Sequence, residues 1–244
     1  MTFSNRVAVV TGGAGRVGRP LCEKFADAGV AVAVVDIDAE GAEAEAEKIR
    51  QAGGNARGYA MDIQSTESVR AAAGAILADF GRCDILVNNA GVWRRKLIEE
   101  MDEDLWLFHM NLNLNGVFRV TKAFLPGMLE RRYGRIVNVG SIAGEVGLPF
   151  FGAYATAKAG VKVFTETLAM EVAKRGVTVN SVSPGMIADA PDGPTKMTWV
   201  ERCGTGAEVA DVILFLAADE AAFITGADYA VDGGRTLGPR FADV

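Results

Sequence analysis

Short β-branched runs alternate along the chain with longer stretches of helical spacing. The runs predict strands at Arg6–Thr11, Val30–Asp36, Ile85–Asn88, Arg135–Val139 and Val177–Ser183. They are near-continuously apolar rather than alternating, as expected of parallel strands covered on both faces. Between them, Ala39–Ala52 and Ser65–Phe80 have helical length and composition. The first of these sets Glu43, Glu45, Glu47 and Lys48 among alanines, which are strong helix formers on a solvated surface. Strands alternating with helices predict an α/β fold, a doubly wound parallel sheet with helices on both faces. No Pro/Ser-rich linker, charge block or internal repeat divides the sequence, so one domain is expected over residues 1–244.

Two later segments break the simple pattern. Glu103–Arg131 predicts mainly one long helix, yet Asn111, Asn113, Asn115 and Gly116 interrupt its helix propensity. Such a conflict is expected where a functional site overrides local stability. Tyr154–Lys174 predicts another helix, rich in Ala, Val and Leu on more than one face. A helix without a wide polar side is expected to meet another subunit.

Composition then narrows the chemistry. The 25 basic and 31 acidic residues give a net charge of −6, which offers no general attraction for nucleic acid or an anionic membrane. Cys22, Cys83 and Cys203 are scattered and odd in number, arguing against disulfides and structural zinc and for a reducing cytoplasm. The first apolar run is too short for a signal peptide, and no stretch is long enough to span a membrane. The single histidine, His109, excludes metal sites built on several histidines and reads as a packed helix residue. Any catalysis must use other groups. The 29 glycines follow no collagen-like period and point to tight backbone turns.

One such turn is TGGAGRVG at residues 11–18, between the first strand and a helical stretch. Glycines there let backbone amides and a helix N-terminus approach a pyrophosphate. The second strand ends in Asp36, whose carboxylate can accept both hydroxyl protons of a ribose. Farther on, Tyr154 and Lys158 stand at i and i+4 on one predicted helix face. A free tyrosine, with a pKa of about 10, is a poor base near neutrality. An adjacent ammonium favours the phenolate and makes proton exchange with an alcohol or ketone feasible. Ser141 is placed to hold the reacting oxygen beside Tyr154.

Together, TGGAGRVG, the NNAG at 88–91 and Tyr154-Ala-Thr-Ala-Lys158 resemble the short-chain dehydrogenase/reductase family. Asp62-Ile63, Asn113 before Gly116, Ser141, Pro184-Gly185 and the VDGG at 231–234 extend the resemblance over nearly the whole chain. It implies a Rossmann-type fold and an NAD(P)-dependent oxidoreductase that interconverts a secondary alcohol and a ketone. It implies Asn113, Ser141, Tyr154 and Lys158 as the catalytic set, with Lys158 also gripping the nicotinamide ribose and Asn113 holding a relay water. Cofactor contacts are implied for Gly12, Gly15, Arg16, Val17, Asp36, Ile37, Asp62, Ile63, Asn89, Ala90, Gly91, Tyr154, Lys158, Pro184, Gly185 and Ile187. Asp36 favours NAD over NADP, because a 2′-phosphate would meet a carboxylate there; Arg16 is the counterargument. A homotetramer is also implied.

Three departures stand out. Arg16 replaces a glycine of the family's turn, Asp189 replaces a threonine, and only 20 residues separate Gly185 from Gly206 where a substrate lid is usual. A short lid is therefore expected over about 186–206, with the tail 235–244 long enough to reach a neighbour. The substrate is left open. Trp93, Arg94, Arg95 and Lys96 form a basic group that suits an acidic substrate, but Glu99 and Glu100 follow closely and a solvated loop is the preferred reading. Arg132 and Arg175 match positions where 3-oxoacyl-[acyl-carrier-protein] reductases hold their acidic carrier; a sugar, polyol or cyclic alcohol competes as substrate. A cofactor-sensing protein without catalysis is the alternative of a different class.

Overall fold

The computed structural model describes Met1, Phe3, residues 5–189 and residues 195–238. In chain order, β1 (Val7–Thr11), α1 (Gly18–Asp27), β2 (Ala31–Asp36), α2 (Ala39–Gln51), β3 (Ala56–Ala60) and α3 (Thr66–Phe80) form the first half. There follow β4 (Ile85–Asn88), α4 (Glu103–Met110), α5 (Gly116–Arg131), β5 (Gly134–Val139), α6 (Gly152–Val172) and β6 (Val177–Pro184). A short ladder of β7 (Ile187–Ala188) and β8 (Gly204–Thr205) precedes α7 (Gly206–Ala217) and β9 (Asp228–Val231).

Seven strands pair in the order β3-β2-β1-β4-β5-β6-β9, all parallel. The chain turns around at β1, which pairs β2 on one side and β4 on the other. Ligands of open parallel sheets bind beyond the carboxyl ends of the strands at such a switch point. Period two sorts the side chains onto the two faces. Ala8, Val10, Val32, Val34, Ile85 and Val87 meet α1, α2 and α7 through residues such as Phe25, Ile49 and Ile213. Val9, Ala33, Val35, Leu86 and Ile136 meet α3, α5 and α6 through Ile76, Phe124, Met128 and Leu168.

The five expected strands all form, within one residue of their expected ends, but β3 and β9 were not expected. They are the two edges of the sheet. With one neighbour each they are only partly covered, so neither needs the continuous apolar run that marks an interior strand. The single long helix expected over Glu103–Arg131 is instead two α-helices joined by a π-helical turn at Asn111–Asn115. The asparagines that weaken helix propensity mark that wider turn.

A buried polar chain fixes the helices to the sheet. Asn88 Nδ2 donates to Thr121 Oγ1 at 3.0 Å and to Asn138 Oδ1 at 2.8 Å, and Asn138 Nδ2 donates to Thr165 Oγ1 at 2.8 Å. It links β4 and β5 to α5 and α6, so the π-turn and Tyr154 are held in register with the strand ends.

Candidate active site

The glycine turn needs its glycines at two points. Gly12 has φ +64°, and a Cβ there would lie 2.9 Å from the Ala90 backbone. At Gly18 a Cβ would come within 2.0 Å of Gly12 O. Close passage of the turn under the NNAG segment is therefore built in. Thr11, which sequence reasoning did not single out, clips the two together: its Oγ1 accepts from Asn89 N at 3.0 Å and Ala90 N at 3.1 Å. Asn89 Nδ2 returns bonds to Thr11 O and Gly12 O. Helix α1 starts without a side-chain cap and without an acid in its first turn, so its amides and dipole suit a phosphate.

On the β2–β3 side, Asp36 is oriented by backbone. Its Oδ2 accepts from Ala14 N at 3.1 Å and its Oδ1 from Asp38 N at 3.2 Å. Asp62 Oδ1 accepts from Gln64 N at 2.9 Å.

The two substitutions noted in the family pattern meet each other. Arg16 Nε and Nη2 donate to Asp189 Oδ1 and Oδ2 at 2.7 and 3.1 Å, and Nη1 donates to Ile187 O at 2.9 Å. The carboxylate thus takes the Nε–Nη2 edge of the guanidinium in a bidentate pair, and the carbonyl takes Nη1. The arginine that replaces a glycine is held by the aspartate that replaces a threonine.

At the far end of the cleft lie Ser141, Tyr154 and Lys158. Lys158 is buried, and its Nζ donates to Val139 O at 2.7 Å and stands 5.8 Å from the Tyr154 ring centre. Burial holds its pKa down at about 8. For Tyr154, burial pushes the hydroxyl up and the hydrogen bond with Ser141 draws it back.

Asn113, in the π-turn, is fully buried; its Nδ2 donates to Val92 O at 3.1 Å, while its Oδ1 is buried without a partner. A Cβ on Gly91 would lie 2.8 Å from that Oδ1 and 3.4 Å from Lys158 Nζ. Glycine at 91 keeps a small polar space between the amide oxygen and the ammonium, a suitable seat for one water. His109 packs as expected, but directly behind this group: its ring is 6.1 Å from that of Tyr154, its Nδ1 is 3.2 Å from Asn113 Nδ2, and Arg94 N donates to its Nε2 at 3.3 Å. Burial keeps its pKa below the ordinary value. Its position would have been legible only as Asn113 minus one helical turn.

All these elements open on one cavity of about 1000 Å³. Every residue implied for cofactor or catalysis lines it except Asn113, which sits behind the wall. The glycine cradle, the anchored Asp36 and the orphaned Asn113 oxygen together fit a dinucleotide and a proton relay. The residues 190–194, inside the expected lid, and 239–244, most of the expected tail, lie outside the described residues.

The short chain dehydrogenase family model matches residues 6–196. The chain is 41% identical to the 3-oxoacyl-[acyl-carrier-protein] reductase FabG of Vibrio cholerae, covering 97% of this chain and all of that protein. It is 37% identical to the Escherichia coli reductase of the same name, with the same coverage. A solved structure, the crystal structure of gox2181, superposes with a TM-score of 0.92 at 35% identity, covering 97% of this chain and 98% of the other.

Proposed function

The chain belongs to the short-chain dehydrogenase family and is an NAD(P)-dependent oxidoreductase acting on CH–OH and keto groups; from that premise we propose that Tyr154 is its acid/base, with NAD as the cofactor. The observation that carries this reading is the placement of Ser141, Tyr154 and Lys158 at one end of a cleft whose other end holds the glycine turn and Asp36. A bound nicotinamide supplies or accepts the hydride. Tyr154 gives its proton to the forming alkoxide in reduction and takes it back in oxidation, while Ser141 hydrogen-bonds the same oxygen. Lys158, beside the Asn113 oxygen, restores the proton from solvent. Asp36, already oriented by two amides, receives the ribose hydroxyls. Arg16 favours NADP only if free, and Asp189 and Ile187 O engage its Nε, Nη1 and Nη2 with one bond each.

The specific substrate class favoured by the relatives is a 3-oxoacyl thioester on an acyl carrier protein. Arg132 and Arg175 support it as an exposed pair, their guanidinium groups donating to Lys174 O and Leu129 O. They follow α5 and α6 at the amino ends of β5 and β6, opposite the cleft. A carrier docked there would serve a neighbouring subunit, so this reading goes with the homotetramer. Retention of every catalytic position weighs against a pure cofactor sensor.

The test is Tyr154→Phe, assayed with both dinucleotides on secondary alcohols, ketones and acetoacetyl thioesters. A loss of at least about 10²-fold in kcat is expected, with dinucleotide binding retained. Near-native turnover by the variant refutes the assignment.

A further inference from the structure

The loop after β4 forms one wall of the catalytic end, and its charges are unevenly matched. Lys96 pairs with Glu100 at 3.5 Å, so one of the two acids that follow the basic group serves the lysine. Arg94 and Arg95 make no ion pair among the described residues; each guanidinium lies over aromatic rings instead. That of Arg94 is 4.1 Å from the Phe108 ring centre, and that of Arg95 is 5.3 and 5.5 Å from those of Phe150 and Phe151. These rings lead back to the reacting group: Phe151 is 6.2 Å from Tyr154, and Phe108 contacts His109, which contacts Tyr154.

The loop is also held in place. Arg94 N donates to His109 Nε2, and Lys96 N donates to Phe150 O at 2.9 Å. Phe150 itself has φ +72°, a left-handed backbone that a bulky residue keeps only when its surroundings impose it. Both arginines line the cavity with Arg235, whereas the lining carboxylates, Asp36 at the end of β2 and Asp62 after β3, belong to the strands on the far side of β1. A guanidinium stacked on a ring by its face keeps its N–H edges free for a carboxylate or phosphate.

We propose that Arg94 and Arg95 form an anion-binding subsite beside Tyr154, and that the substrate is therefore a ketone or secondary alcohol carrying an anionic group. The proposal rests on the reading of Tyr154 as the acid/base and adds the chemistry of the rest of the substrate. The same edges would take a carboxylate on a small keto acid or the phosphate of a pantetheine arm.

The experiment compares matched probes with the full chain and dinucleotide. One arm uses levulinate and its longer methyl-ketone homologues, each beside its primary amide; the other uses acetoacetyl-phosphopantetheine beside acetoacetyl-pantetheine. The charged member of at least one arm should be preferred by about 10- to 100-fold in kcat/KM, and that arm identifies the anion. In Arg94→Gln/Arg95→Gln the preference should collapse, with a far larger loss on charged than on neutral members. Equal kcat/KM for charged and neutral members in both arms overturns the subsite. If no probe turns over, the acid/base reading fails separately, and calorimetric binding decides the subsite: tighter binding of the charged probes, lost in the double variant, upholds it, and equal binding overturns it.

Discussion

Replacing Lys158 by methionine should stabilise the protein at neutral pH while removing the ammonium proposed to relay the proton. The ammonium is buried, with a single hydrogen bond to Val139 O and no ion pair among the described residues. Its pKa is held at about 8 against an ordinary 10.5, a difference equivalent to about 3 kcal/mol. Between those values the unfolded chain still binds the proton that the folded chain has released, so wild-type stability rises with pH across that window. Below it, both states are charged and the full cost is present. Lys158→Met removes that cost and loses one hydrogen bond of about 1 kcal/mol. The net gain at pH 7 is about 2 kcal/mol, or roughly 4–8 °C in Tm for a chain of this size. Urea unfolding of both proteins from neutral to alkaline pH measures it, with the variant's advantage vanishing as the wild-type amine becomes neutral. Cys22, Cys83, Tyr59 and Tyr133 are all raised by burial and act in the opposite sense, but both proteins share them and they cancel in the difference. Equal pH slopes, or a variant less stable at pH 7, would refute the reasoning.

Asp36→Ala should narrow a preference for NAD over NADP of roughly 10- to 150-fold in kcat/KM, measured with one substrate and both dinucleotides; a wild type that prefers NADP reverses the charge ranking. Asp189→Asn, which frees Arg16 from its bidentate partner, should shift the same ratio toward NADP, and no shift would show that the pair has no part in selection. His109→Phe keeps the ring against Tyr154 but removes the nitrogens facing Asn113 and Arg94, so kcat should fall about tenfold, the worth of one hydrogen bond; unchanged kinetics would make the histidine packing alone. Light scattering should give a tetrameric mass, since Phe118, Val163 and Met170 leave α5 and α6 with exposed apolar groups; a monomer at micromolar concentration refutes the assembly.

The chain's local pattern determined the interior strands and the helix carrying Tyr154 and Lys158. The run Ile85–Asn88 is legible because both faces of β4 are covered, and Tyr154 and Lys158 because four residues make one helical turn. The edge strands β3 and β9 escaped because half-covered residues need no apolar run. The π-turn showed only as a lapse in helix propensity, with nothing local to say that it would turn Asn113 inward beside His109. Arg16 and Asp189 stand 173 residues apart, and each alone reads as a flaw in a cofactor site. Likewise, Arg94 and Arg95 resemble any solvated basic loop until Phe108, Phe150 and Phe151 arrive from other segments. Periodicity is a property of neighbours along the chain, whereas pairing of charges across a cleft exists only once the sheet has brought its strand ends together.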